Sequence, residues 1–187
     1  MTLDLAGCSD GELAALALAG RQSAYGELIR RHREPVYRMV RGHVGDADAA
    51  LDVTQQSFIA AFSALGRYDG ARPFRVWMAR IAINKCHDWT RRRAVRRLFS
   101  FALPIDAASD VADEAATAEG LLSGRQQLQR TMTAIAALPG SLKEPLILRT
   151  IEGLSQAETA LVLGISEKAV ETRVYRARAR LVESLRD

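Results

Sequence analysis

Residues 155–166 read SQAETALVLGIS, and this stretch decides the fold of the C-terminal part of the chain. Ser155, with Glu158 three positions later, forms the capping-box pattern that marks the start of a helix. Gly164 ends that helix, because glycine tolerates the positive φ of a sharp turn, and Ser166 can cap a second helix. A helix, a glycine turn and a second helix in this order predict a helix-turn-helix.

The second of these helices, from Glu167 to about Leu185, is the predicted DNA-recognition helix. Its buried stripe repeats at helical spacing and consists of Val170, Val174, Ala177 and Leu181. We predict contacts with base edges in the major groove for Lys168, Glu171, Thr172, Tyr175 and Arg176. We predict phosphate contacts for Arg173, Arg178 and Arg180. The alternative is a helical hairpin that serves only in packing.

The charges outside this motif are strongly segregated along the 187 residues. Residues 21–98 carry 16 basic and seven acidic side chains, residues 99–124 carry five acids and no base, and residues 125–187 carry ten bases and seven acids. Of the 26 basic residues 23 are arginine, whose planar fork suits phosphate and guanine. Two basic blocks around an acidic stretch indicate two parts that bind a polyanion.

Helix signals continue through the N-terminal half. Ser9 with Glu12 is a capping box, and a second helix is expected from about residue 23 to 44, with a kink or break at Pro35. Asp46 can cap a third helix, and a long fourth helix is expected to begin near Phe74 and to end in the basic run 91–97. His32 and His43 are expected on the surface of the basic second helix.

These signals predict an all-α protein of two small domains joined by a flexible acidic linker. We place the N-terminal helical domain at residues 1–98, the linker at 99–124 and the helix-turn-helix domain at 125–187. Within the last domain, Ser141 with Glu144 forms a further capping-box pattern.

Several classes of protein are excluded by the sequence. No apolar run is long enough to cross a membrane, and the N-terminus lacks the pattern of a signal peptide, so we expect a cytoplasmic protein. Cys86 and His87 are adjacent, but no further ligands lie near them in the sequence, so no metal site and no cofactor are predicted. No catalytic constellation is present, so an enzyme is not expected.

Three stretches, residues 50–58, 68–92 and 153–181, together resemble bacterial sigma factors of the extracytoplasmic function (ECF) type. The resemblance implies an all-α transcription initiation factor without catalytic activity of its own. It also implies three partners: core RNA polymerase, promoter DNA, and an anti-sigma factor that holds the protein silent.

The resemblance also implies roles for particular residues. Binding to the clamp helices of the largest polymerase subunit falls to Asp52, Gln55 and Phe58. The resemblance assigns the reading and melting of the −10 element to Arg67, Tyr68, Asp69, Arg72, Asn84, Asp88, Arg91 and Arg92. The recognition helix reads the −35 element. Trp77 is expected in the core, whereas Trp89 suits either packing or base contact.

Two questions stay open at this level. A helix-turn-helix regulator that binds duplex DNA without polymerase is the alternative function. The acidic linker is either a mimic of nucleic acid inside a polymerase channel or a solvated spacer.

Overall fold

The computed structural model describes residues 4–102 and 119–186, with side chains described for 4–99 and 126–186. Within these ranges the chain is helical and contains no strand, which confirms the all-α prediction. The helices are α1 Asp10–Leu18, α2 Gln22–Val44, α3 Ala47–Ser63, α4 Phe74–Ala102, α5 Glu119–Ala137, α6 Gly140–Thr150, α7 Gln156–Leu163 and α8 Glu167–Ser184, with a short 3₁₀ turn at Leu65–Arg67. None of the described helices is both long enough and apolar enough to span a bilayer.

Local capping signals formed largely as the sequence predicts. The side chains of Ser9 and Ser155 each accept a hydrogen bond from the backbone of the glutamate three residues on, and that glutamate bonds back to the cap. Asp46 caps α3 and Ser166 caps α8. Such caps satisfy the backbone N–H groups that the first turn of a helix leaves without partners.

The helix α2 runs without a break from Gln22 to Val44, so of the predicted kink or break at Pro35 the break is wrong and the kink stays a prediction. Proline removes one helical hydrogen bond and costs about 3 kcal/mol in a helix interior. Residues on both sides of it, Leu28, Met39 and Val40, are fully buried. The packing of α2 against α1, α3 and α4 therefore outweighs the local cost.

The predicted capping box at Ser141 is also wrong. The helix α6 begins at Gly140 with Pro139 at the N-cap position, two residues before Ser141, and has no side-chain cap. The Glu144 carboxylate points instead to His87, with Glu144 Oε1 2.6 Å from His87 Nε2. A tertiary partner has thus replaced the local hydrogen bond.

The helices form two groups, α1–α4 and α5–α8, that pack against each other. The contacts between the groups are made by α2 with α5 and α6, and by α4 with α7. Buried side chains of both groups belong to one hydrophobic cluster, which includes Leu28, Met78, Ile147 and Leu154. Arg75 of α4 adds an ion pair with Glu158 of α7 at 2.9 Å.

Most of the predicted acidic linker lies outside the described residues, including Asp106, Asp110, Asp113 and Glu114. At both ends of the predicted linker the backbone is helical: α4 continues to Ala102, and α5 begins at Glu119. The domain boundaries at 98 and 125 stay predictions.

We expect Gly164→Ala to lower the free energy of unfolding by about 1 kcal/mol, because Gly164 has φ +65° and an L side chain is strained there. Gly26→Ala is the matched control. Gly26 lies inside α2 with open space around it, so alanine should raise stability by about 0.5 kcal/mol. Urea unfolding followed by circular dichroism measures both, and equal shifts would contradict the assigned turn.

Candidate nucleic-acid interface

The helices α7 and α8 form the predicted helix-turn-helix. Gly164 closes α7 in a left-handed conformation, with φ 65° and ψ 35°. Ala160 is 8% exposed, as expected for a small residue where two helices approach closely. The predicted stripe of α8 faces inward, with Val170 and Ala177 buried. The remaining faces of α8 are therefore available to a ligand.

The predicted −35 residues fall into two sets. Lys168, Glu171, Tyr175, Arg176 and Arg178 are exposed, and Tyr175 has 76% of its surface accessible. Thr172 and Arg173 are half-buried, and the Thr172 hydroxyl donates to the Lys168 carbonyl at 2.9 Å. Most of this set lines an open groove of about 470 Å³ together with Arg149 and Gln156.

Lys168 and Glu171 neutralise each other in the free protein. Lys168 Nζ lies 2.9 Å from Glu171 Oε2, one helical turn away, and both side chains are more than half exposed. An exposed pair of this kind contributes little stability. Both groups can therefore exchange partners when bases come within reach.

The predicted −10 loop projects charged side chains. Arg67, Asp69 and Arg72 are exposed, and Asp69 pairs with Arg72 at 3.2 Å. Tyr68 is half-buried: its ring stands edge-on to Phe74 with centroids 5.3 Å apart, and its hydroxyl donates to the Arg72 carbonyl at 2.5 Å. Tyr68 thus holds the loop in shape and presents only part of its ring.

The helix α4 carries the rest of the −10 set. Asn84 is exposed, and Asp88 lies one turn later on the same side. Arg91 hydrogen-bonds Asp88 and lowers the pKa of that carboxyl, while Arg91 and Arg92 remain exposed. Trp77 packs against Phe74 and Tyr68, in agreement with a core role. Trp89 carries the Arg93 guanidinium over its ring at 5.1 Å.

On α3, Phe58 does not share the exposed face of Asp52 and Gln55, with which it was assigned to polymerase binding. Asp52 and Gln55 are exposed, but Phe58 is only 6% exposed and packs against Phe62. At 100° per residue, two steps of three turn Phe58 about 120° away from Asp52, towards the core. Ile59, which was not predicted as a contact residue, lies seven residues from Asp52 on the same face and is 59% exposed.

Several arginines of the basic N-terminal block serve in folding. Arg31 donates to the carbonyl of Cys8 at 2.8 Å and holds the segment before α1. Arg41 donates to Gln129 of α5, and Arg75 pairs with Glu158. The charge excess of the block thus overstates the number of arginines available to a polyanion.

Two family matches fall on the chain, one within each group of helices. Residues 28–96 match the family Sigma-70 region 2, and residues 128–181 match Sigma-70, region 4. The first match contains α3, the −10 loop and most of α4, and the second contains the helix-turn-helix.

Proteins of known identity match over almost the whole chain. The RNA polymerase sigma factor CnrH of Cupriavidus metallidurans is 38% identical over 177 residues, which cover 92% of each chain. The ECF RNA polymerase sigma factor SigM of Mycobacterium tuberculosis is 32% identical over 179 residues, covering 95% of this chain and 85% of the relative. A solved structure of CnrH with the cytosolic domain of CnrY superposes with a TM-score of 0.69 at 34% identity, covering 94% of this chain and 96% of that one.

The two matched regions define the class of the protein, which is a helical transcription initiation factor. With these relatives, the chain belongs to the ECF family of RNA polymerase sigma factors. Like the family, it directs core RNA polymerase to promoters and is not an enzyme. The family assignment therefore favours a sigma factor over a regulator that acts without polymerase.

The neighbours Phe58 and Ile59 give a sharp test of the α3 assignment. We expect Phe58→Ala to lower the free energy of unfolding by about 3 kcal/mol, because it leaves a cavity in the core. Ile59→Ala, on the exposed face, should stay within about 0.5 kcal/mol of the wild type. Chemical denaturation measures both, and a larger loss for Ile59→Ala would reverse the assigned faces.

Proposed function

We propose that residues 1–98 bind core RNA polymerase and open the −10 element, that residues 125–187 read the −35 element, and that residues 99–124 join them. One observation carries the proposal. Each matched sigma-70 region presents an exposed surface suited to DNA: α8 with its arginines in one region, and the side of α4 that bears Asn84 in the other. The protein would act in the cytoplasm, together with polymerase.

In the −35 complex α8 lies in the major groove. Arg176 can form a bidentate bond with guanine, and Glu171 can accept from the amino group of cytosine. Arg178 and Arg180 contact phosphates, which position the helix without specifying sequence. Tyr175, which is 76% exposed, offers an apolar ring edge to a thymine methyl group.

At the −10 element the protein binds bases of the non-template strand that have left the stack. Asn84 contacts a base, while Arg67, Arg72, Arg91 and Arg92 follow the backbone; all are exposed. Capture of a flipped base offsets the few kcal/mol of lost stacking. Since Tyr68 is packed against Phe74, it supports the −10 loop from the side of the core.

Polymerase binding is proposed for the exposed face of α3. Asp48, Asp52, Gln55 and Ile59 recur there at helical spacing and are all exposed. Carboxylates beside an isolated aliphatic side chain suit a basic helical partner such as the clamp helices of the largest subunit. Ile59 takes the apolar role first given to Phe58.

A protein inhibitor is also proposed. CnrH, at 34% identity in its solved structure, was found in complex with the cytosolic domain of CnrY. By analogy, an anti-sigma factor would cover the polymerase-binding face of α3 and keep this chain silent.

Run-off transcription with purified core polymerase and a randomised promoter library tests the function. The wild type should direct initiation from a discrete promoter class. Arg176→Ala should change base preference at one −35 position by about tenfold, because a bidentate contact is worth ~1–3 kcal/mol. Arg180→Ala, the matched control, should weaken use of all promoters evenly.

Two outcomes would contradict the assignment. An unaltered −35 preference in Arg176→Ala would show that the register of α8 is wrong. Failure of the wild type to change initiation by core, together with tight binding of duplex DNA by the isolated chain, would favour the regulator that acts alone.

Asp52→Ala combined with Gln55→Ala should weaken binding to core polymerase at least tenfold, because both side chains lie on the proposed contact face. Ile59→Ala should add to the loss. The control is Glu183→Ala. Glu183 is an exposed acid on α8, so this change also removes one negative charge, but away from α3, and it should leave the affinity unchanged. Fluorescence anisotropy of labelled protein measures each, and wild-type affinity in the double variant would refute this face.

A further inference from the structure

Three metal-ligand side chains from three helices meet where the two groups of helices join. His43 lies in α2, His87 in α4 and Glu144 in α6. Glu144 Oε1 is 2.6 Å from His87 Nε2 and 3.5 Å from His43 Nε2. One ligand atom from each residue lies within 4.8 Å of the others. The sequence does not indicate this cluster, because its members are 44 and 57 positions apart.

A second observation points independently to a ligand. His43 is only 4% exposed, contrary to the surface position predicted for it, and both of its ring nitrogens lack a hydrogen-bond partner. Buried polar atoms are almost always paired, so an imidazole without partners calls for a bound group. The unpaired His43 Nε2 faces the Glu144 carboxylate.

We propose that His43, His87 and Glu144 bind one divalent transition-metal ion of the Zn²⁺ type and that this ion fastens α6 to α2 and α4. Two imidazoles and one carboxylate are a common ligand set for zinc. Tetrahedral ligands at ~2.1 Å from zinc stand ~3.4 Å apart, so the present spacing needs only small side-chain adjustments. His87 has 46% of its side chain exposed, so water can complete the coordination.

The protonation states agree with this geometry. Burial lowers the pKa of His43, which leaves its ring neutral and able to donate a lone pair. Burial alone would raise the pKa of Glu144, but the imidazoles of His43 and His87 beside it outweigh that effect and lower its pKa. The Lys143 ammonium nearby opposes a cation, although two backbone carbonyls already hold it.

A metal in this position would favour the packed form of the protein. The −35 and −10 elements lie about 25 base pairs apart, or ~85 Å of B-form DNA. A packed chain of this length is only about 40 Å across. If the proposed promoter contacts hold, α6 must leave α2 and α4 when both elements are occupied, and the ion opposes that separation.

Calorimetric titration of the chelator-treated full-length chain with ZnCl₂ tests the site. The wild type should bind one Zn²⁺ per chain. Glu144→Gln and His87→Gln should each weaken binding at least tenfold; both keep the approximate size, and circular dichroism checks folding. His32→Gln is the control, because His32, the third histidine, pairs with Asp10 away from the cluster.

Hydrogen–deuterium exchange tests whether the ion joins the two groups. Zn²⁺ should slow exchange in peptides of both α4 and α6 in the wild type and in neither in Glu144→Gln. No zinc binding, equal affinity in the cluster variants and the wild type, or slowed exchange in only one helix group would overturn the proposal. Neither assay contains polymerase or DNA, so its failure would be separate from failure of the promoter function.

Discussion

One buried ammonium group links three helices at the place where the two helix groups meet. Lys143 Nζ of α6 donates to the His43 carbonyl at 3.0 Å and to the Ala136 carbonyl at 2.7 Å, in the last turns of α2 and α5. Burial lowers the pKa of Lys143, but the negative ends of two helix dipoles offset part of that cost. A single side chain therefore binds the C-terminal turns of two helices and adds to the contacts that join the two helix groups.

Close approach of the backbones makes this junction possible. A Cβ at Gly42 would lie 3.1 Å from Ile151 Cδ1, and one at Gly45 would lie 2.8 Å from Ala136 Cβ. Glycine at both positions lets α5 and α6 pack against the end of α2. The junction uses the inner sides of these helices, so the outward faces of α3, α4 and α8 keep the side chains proposed for polymerase and DNA exposed.

Features that depend on neighbours in the chain were predictable. Capping at Ser9, Asp46, Ser155 and Ser166 and the glycine turn at Gly164 formed as expected, because each is satisfied within four residues. Features that depend on distant partners were not. Glu144 contacts His87 of α4 instead of completing the predicted cap, and α2 continues through Pro35 because its neighbours bury residues on both sides.

The sequence by itself determined the all-helical class, the helix-turn-helix and the resemblance to ECF sigma factors, since periodicity, capping and motif order are properties of the linear chain. Only the tertiary structure decided which face of each helix is buried, which placed Ile59 outside and Phe58 inside. It also decided the meeting of His43, His87 and Glu144. The physical reason is that burial and unpaired polar groups arise from packing between distant segments, whose geometry no local pattern specifies.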